Sequence, residues 1–403
     1  MFSFKNEKIN TDLEKIEDIL TRGVEDVFVV ESLKKRLLSG KQQRVKLGFD
    51  PTGSKIYIGR AVILRKLKAF QDLGHKVVFI VGDFTAEIGD PSDKLEKRPM
   101  LDRSKILENL KDYKNQVGKI IDISKAEFCF NSKWLSKLGF HEIGQLAESF
   151  SVQQMSNRRN FKDRLEKGEE VSLREFLYPI MQGYDSVVVK ADIELGGFDQ
   201  LFNLKAGRII QKHYGMTEQD VLTVKMLEGT DGRKMSTSWG NVINIVDEPN
   251  DMFGKVMSVR DDLIIKYFTL CTDISTKEIS NIEGSLSSGV NPRDLKIKLA
   301  YEIVKIYHGD KKADTAKENF EKTFSKGGVP DEVIEVSVTK AEKLVDVFLD
   351  KKIVSSKSEF RRLVSEGAVT NMETETKINN PELVVVSGTY KVGKRRFIKV
   401  VVN

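Results

Sequence analysis

RVKLGFDPTGSKIYIGRAVILRKLKAFQDLGHKVVFIVGD, residues 44–83, decides the fold. Its ends, RVKLGFD and KVVFIVGD, are short runs rich in apolar residues, the composition of strands. Its middle, AVILRKLKAFQDLG, sets Ile63, Leu67 and Phe70 at helical spacing, keeps Arg65, Lys66 and Lys68 on another face, and stops at Gly74. Strand, helix, strand is the unit from which a parallel, doubly wound α/β sheet is built.

Outward from this unit, residues 95–177 are mostly helical in pattern and highly charged, as expected of an insertion or lid. VVVKADIEL (187–195) reads as a strand, and the glycines after it open another helix. Past Asn250 the pattern becomes helical: NPRDLKIKLAYEIVKIYHG aligns Leu295, Leu299, Ile303 and Ile306 behind Pro292, predicting an all-α domain over 246–328. Residues 329–340 read as a linker. In 341–403, Ser356 to Glu359 has the form of a capping box, SEFRRLVSEG of a helix ended by Gly367, and KVGKRRFIKVVV of a strand. Basic residues collect on this tail, among them Lys351, Lys357, Arg361, Arg362, Lys394 and Arg395.

A chain of 403 residues exceeds one ordinary core, so two or three domains are expected. Charged residues at 31% beside 40% hydrophobic ones suit a globular protein. No window approaches the roughly 18 apolar residues of a membrane span, and the start MFSFKNEKINTDLEKIED lacks a signal peptide's apolar core, so no membrane partner and a cytoplasmic location are expected. Cys129 and Cys271 are far apart and in no metal-ligand spacing. The net charge of +6 permits a polyanionic partner.

Chemistry concentrates in a few segments. The turn from Gly48 to Gly59 precedes a helix whose free N–H groups and positive dipole end suit a phosphate. VGDFTAEIGDPSDK brings Asp83 and Asp90 to the carboxyl end of a strand, where open α/β sheets bind ligands, and Lys94 with Arg98 could reach an anion from one helical face. Tyr178, Gln182 and Asp185, spaced i, i+4 and i+7, share a helical face on which three polar groups could converge on a small molecule. LEGTDGRKMSTSWGN is a polar loop whose Lys234 could swing onto a developing phosphate charge. Each segment has a plainer reading as turn, exposed face or surface loop.

In order, RVKLGFDPT, IGDPS, FLYPIMQGYDSVVVKADIELGG, DQLFNL, GRKMSTS and NPRDLK resemble class I aminoacyl-tRNA synthetases, and more narrowly the bacterial tyrosyl-tRNA synthetases of the longer-insertion type. The resemblance implies a Rossmann-like catalytic domain over 1–245, an anticodon-recognition role for the all-α domain, and a small α+β alpha-L RNA-binding domain at the end. It implies tyrosine, ATP and tRNA(Tyr) as substrates, magnesium arriving with ATP and not held by a metal site of the protein, and a homodimer. It assigns Tyr178, Gln182, Asp185, Asp90, Asp50 and Gln200 to tyrosine, and Asp50, Gly59, Gly197, Asp199, Lys234, Met235 and Ser236 to ATP. Catalysis falls to Arg60, Tyr57, Lys94, Arg98, Lys234 and Thr237.

The chain also departs from that pattern. The family's His-x-Gly-His is Tyr57-Ile58-Gly59-Arg60 here, the signature loop ends Thr237-Ser238 in place of Lys-Ser, Phe198 replaces a threonine, and Asp93 a glycine. His141-Glu-Ile-Gly lies outside the strand-to-helix turn and cannot substitute. Arg60 still offers a permanent charge and several donors, and Tyr57 a hydroxyl. A competing expectation follows: an RNA-binding relative with lost or weak adenylation.

Overall fold

The alternation that sets residues 44–83 apart builds the centre of a sheet. In the computed structural model, which describes residues 9–92, 102–325, 333–338, 342–393 and 396–402, β1 (Val24–Phe28), β2 (Arg44–Phe49), β3 (Lys76–Val81), β4 (Glu127–Phe130), β5 (Ile193–Gly197) and β6 (Asp220–Val224) join in the order β1-β6-β5-β2-β3-β4. Only β1 is antiparallel to its neighbour. The Ile58–Asp72 helix makes the crossover from β2 to β3 and buries Ile58, Ala61, Leu64, Leu67 and Phe70. Burying a Leu or Phe side chain of this kind stabilises by about 1.5–3 kcal/mol. β3 is buried from Val77 to Val81, as a parallel strand covered on both faces must be.

The described residues up to Asp247, with Ser258–Leu299, form one compact unit; Glu248–Met257 and the described residues from Ala300 onward form another. Within the second, the helices Pro249–Met257 and Asp310–Ser325 meet through Phe253 and Phe320, whose ring centroids are 5.3 Å apart. There too, β7 (Ile334–Val338), β8 (Val369–Asn371), β9 (Thr376–Lys377), β10 (Gly388–Val392) and β11 (Arg396–Val402) form a sheet in the order β7-β11-β10-β8-β9. Phe348, Phe360, Tyr390 and Ile398 fill the core it shares with the Leu344–Asp350 and Lys357–Ser365 helices.

Several local expectations change. The insertion is not wholly helical: β4 extends the main sheet, with Phe128 stacked 4.8 Å from Phe79. Four residues between helices carry too little periodicity to reveal a strand. Val187 and Val188 close the Leu173–Val188 helix instead of opening a strand, because packing overrides the strand preference of a valine run. Residues 334–338, expected as linker, pair in parallel with β11. KVGKRRFIKVVV is a hairpin and not one strand, since Gly393 adopts φ +68 between β10 and β11. The capping box is half made: Ser356 Oγ accepts from Glu359 N (3.1 Å), but the Glu359 carboxylate accepts from Ser355 N (2.6 Å).

At the amino ends of β2 and β3, His75 is 3% exposed; its Nδ1 accepts from Gln43 N (3.3 Å), and Nε2 finds no partner among the described residues. Burial pushes its pKa down to about 4. The unfolded chain takes up this proton below about pH 6.5 while the folded chain refuses it, so stability is full above that pH and falls toward pH 4, by about 3 kcal/mol. Urea unfolding between pH 7 and 4.5 should show a shallower pH slope for His75→Phe than for the unsubstituted protein; equal slopes would refute the assignment.

Candidate active site

The strand order reverses between β2 and β5, and a crevice opens at the carboxyl ends of strands at such a switch point. A cavity of about 250 Å³ lies there. Its walls come from Leu47–Asp50 and Leu195–Gly197 at the ends of β2 and β5, from the turn into the Ile58–Asp72 helix, and from Tyr178, Gln182 and Asp185.

Those three project from one face of the Leu173–Val188 helix, as their spacing predicts. Ser172 and Glu175 start this helix with a full capping box. Tyr178 OH donates to Asp50 Oδ2 (2.9 Å), and Thr85 Oγ1 donates to Asp50 Oδ1 (2.7 Å). Burial and the Asp50 carboxylate keep the Tyr178 phenol protonated by raising its pKa well above the ordinary value. Gly82 is obligatory beneath this pair, since a Cβ there would stand 2.0 Å from Asp50 Oδ1.

Asp185 forms the floor. Its carboxylate accepts from Trp134 Nε1 (2.7 Å) and Asn131 Nδ2 (3.3 Å), and burial pushes its pKa up to about 6. Asn131 and Trp134 escaped the sequence reading. Their signal was faint: the polar run NSKW follows EFCF, and recognising EFCF as a strand would have placed it at the binding edge of the sheet. Lys46 also went unassigned. It faces Glu194 across β2 and β5, 2.8 Å away with both side chains fully buried, and donates to Gln182 O (2.8 Å) and Ser186 Oγ (2.7 Å). Gln182 Nε2 in turn donates to Glu194 Oε1 (3.1 Å), so a satisfied ionic network anchors the helix face from behind.

Beside the floor, Gln200 Nε2 donates to Asp90 Oδ2 (2.6 Å) and Asn203 Nδ2 to Gln200 Oε1 (3.0 Å). Arg158, another residue missed from sequence, donates to Asn203 Oδ1 (3.1 Å) from between the rings of Phe161 and Phe202. Asp50, Asp90, Tyr178, Gln182, Asp185 and Gln200 therefore all reach one cavity.

At the other end stand Tyr57, Gly59, Arg60, Gly197, Asp199, Lys234 and Met235. The Arg60 guanidinium donates to Thr52 Oγ1 (2.7 Å) and lies 5.5 Å from the Tyr57 ring centroid and 5.9 Å from that of Phe49. Met235 packs on Gly59: a Cβ there would sit 2.8 Å from its sulfur, so a larger residue would push this side chain aside. Ser236 and Thr237, expected among the ATP and catalytic groups, do not line the cavity, because Asn241 Oδ1 accepts from Ser236 N (2.8 Å) and holds the loop back. Phe198 is 49% exposed and also off the cavity wall, so it does not plug the site. Asp93, Lys94 and Arg98 lie outside the described residues. Among those described, no cluster of three or more metal-ligating side chains occurs.

Fold and cavity together are those of a class I aminoacyl-tRNA synthetase. The family model for tRNA synthetases class I (W and Y) matches residues 38–325. A tyrosine--tRNA ligase of Carboxydothermus hydrogenoformans is 46% identical over 97% of this chain and 98% of its own length. Another, of Thermotoga maritima, is 45% identical over 95% and 96%. A C-terminally truncated mitochondrial tyrosyl-tRNA synthetase of Aspergillus nidulans shares the fold, with a TM-score of 0.64 at 23% identity over 77% of this chain and 94% of that one. The chain belongs to the class I tyrosyl-tRNA synthetases.

Proposed function

We propose that this chain acts as a tyrosine–tRNA ligase. The observation that carries this is the Asp185 carboxylate, held by two donors at the floor of a cavity whose other end presents Arg60 and Lys234. A tyrosine whose phenol donates to Asp185 would place its ammonium near Tyr178, Gln182 and Asp90, with Asp50 and Gln200 as further polar groups around the amino acid and the adenylate, and Asp199 on the ribose of ATP. Gly59, Gly197 and Met235 complete the ATP site, and Ser236 joins it when its loop swings onto the phosphates. The tyrosine carboxylate attacks the α-phosphorus, the bond to the α–β bridging oxygen breaks, and pyrophosphate leaves; the tRNA's terminal ribose hydroxyl then attacks the tyrosyl carbonyl, the carbonyl–phosphate oxygen bond breaks, and AMP and a proton leave. No protein nucleophile takes part, so the protein supplies position and charge. Arg60, Tyr57, Lys94, Arg98 and Lys234 are assigned to the phosphates, with Thr237 joining them when its loop closes, and magnesium enters as part of the ATP substrate.

The assigned roles are catalysis for 1–245, with the insertion at about 95–177, the anticodon for 246–328, and further RNA contacts for 341–403; the anticodon segment is shared between the two compact units, 258–299 belonging to the first. The expected location is the cytoplasm. Among the described residues, no helix is long and apolar enough to cross a membrane. Tyrosine-dependent exchange of labelled pyrophosphate into ATP is the deciding experiment. RNA binding without any exchange, unrescued by Tyr57→His with Arg60→His, would favour the adenylation-deficient alternative.

A homodimer is part of this proposal. Phe140, Val152 and Leu173, in or beside the insertion, are 96%, 79% and 80% exposed, a cost that burial against a second copy would remove. Sedimentation equilibrium should find a dimer that Phe140→Asp weakens at least tenfold; a monomer at micromolar concentration would exclude it.

A further inference from the structure

We infer that the insertion helices Arg103–Leu110 and Tyr113–Val117 form a clasp on the ATP-phosphate loop, in which Tyr113 is the positioning residue for Arg60. This rests on the cavity being the tyrosine-activation site, and it extends that site to residues that no motif marks.

The loop between β2 and the Ile58–Asp72 helix has little regular structure, so its peptide groups need partners from elsewhere. The insertion supplies them. Asn109 Nδ2 donates to Pro51 O (2.8 Å), Gln116 Nε2 donates to Ser54 O (2.7 Å), and Gln116 Oε1 accepts from Ile56 N (2.8 Å). Between these two, Tyr113 OH accepts from Arg60 Nη1 (3.4 Å). Asn109, Tyr113 and Gln116 are 4%, 1% and 2% exposed. Three buried polar side chains at positions 109, 113 and 116 thus turn one face to a single loop. Polar groups taken out of water this completely are tolerated only where they are bonded, and here their partners are the loop and its arginine.

The consequence is catalytic geometry. An arginine carries several rotatable bonds, and a guanidinium that must meet developing phosphate charge is worth most when already in place. Thr52 accepts from one side of the Arg60 fork and Tyr113 from another, while the Tyr57 and Phe49 rings flank it. Burial raises the pKa of the Tyr113 phenol, so it stays neutral and its oxygen remains an acceptor for the cation. Where the motif it resembles has histidines, this chain has a longer cation with a dedicated anchor.

The test uses the full chain and two readouts: equilibrium dialysis with ATP, and tyrosine-dependent pyrophosphate exchange. Tyr113→Phe should weaken ATP affinity and lower kcat/KM for ATP by about tenfold, leave tyrosine affinity unchanged, and have no further effect in an Arg60→Lys background. Gln116→Met, which releases the loop without touching Arg60, should also act on ATP and spare tyrosine, so the proposal survives a poorly folding Tyr113 variant. Unchanged ATP affinity in both variants, equal losses for ATP and tyrosine, or full additivity of Tyr113→Phe with Arg60→Lys would each overturn it. If the unsubstituted protein binds ATP but performs no exchange, the activation reading falls while the dialysis comparison still decides the clasp.

Discussion

Asp185→Asn is expected to lower kcat/KM for tyrosine in pyrophosphate exchange by about 10²-fold or more while leaving ATP affinity intact. The aspartate accepts from Trp134 on one oxygen and from Asn131 on the other. Its remaining lone pairs face the cavity and suit a phenol donor. An asparagine in its place turns an amide N–H₂ toward a neighbour that is itself a donor, so the floor loses its charge, one of its two acceptor oxygens and its orientation. The same logic makes phenylalanine a poor substrate, since it would leave the cavity-facing lone pairs of a buried carboxylate without a donor. Retention of tyrosine affinity within fivefold in Asp185→Asn would remove the phenol from this position.

The pH dependence of that site follows from its burial. With the Asp185 pKa at about 6, the strong carboxylate acceptor is present above pH 6 and lost below it, so KM for tyrosine should rise as pH falls from 7 to 5. Stability responds in the opposite sense: a raised folded pKa makes ionisation costly, so this group's contribution is full below the unfolded value near 4 and is lost as pH rises through about 6. His75 acts the other way over an overlapping range. The two offset each other in the intact protein, which is why the His75→Phe comparison is needed to separate them.

Arg60→Ala should cost about 10²–10³-fold in kcat/KM for ATP, the scale at which one preorganised donor to a charged transition state is lost, with tyrosine binding unchanged. The guanidinium is bonded to Thr52 at the rim of the cavity and does not point away from it. Its charge does not depend on pH over the working range, unlike an imidazole's. Arg60→His should keep part of the activity because it restores a donor at a helix start, though one too short to meet both Thr52 and Tyr113. An Arg60→Ala variant with unaltered ATP kinetics would show that Tyr57, Lys234 and the helix end suffice, and that Arg60 only packs the loop.

Much of this was legible beforehand where the signal is local. Tyr178, Gln182 and Asp185 fall on one face because helical geometry demands it, and they reach the cavity. Strands of a few residues were harder. EFCF stands between helical stretches, and at 334–338 the alternation of IEVSV is so short a run that it competes poorly with the linker signal of the glycines and proline before it. The valines before Lys190 favoured a strand on propensity and became helix on packing.

From the sequence alone came the strand–helix–strand centre, the polar face of the Leu173–Val188 helix, the family, and the replacement of two histidines by tyrosine and arginine. All of these reside in neighbouring residues and fixed periods. Only the tertiary structure decided who supports whom. Trp134 reaches Asp185 across 51 positions, Asn131 across 54, Lys46 bonds Ser186 across 140, and Tyr113 meets Arg60 across 53. A hydrogen bond between such distant residues depends on how separate elements are stacked and turned, and burial then makes each partner obligatory; neither condition leaves a periodic trace along the chain.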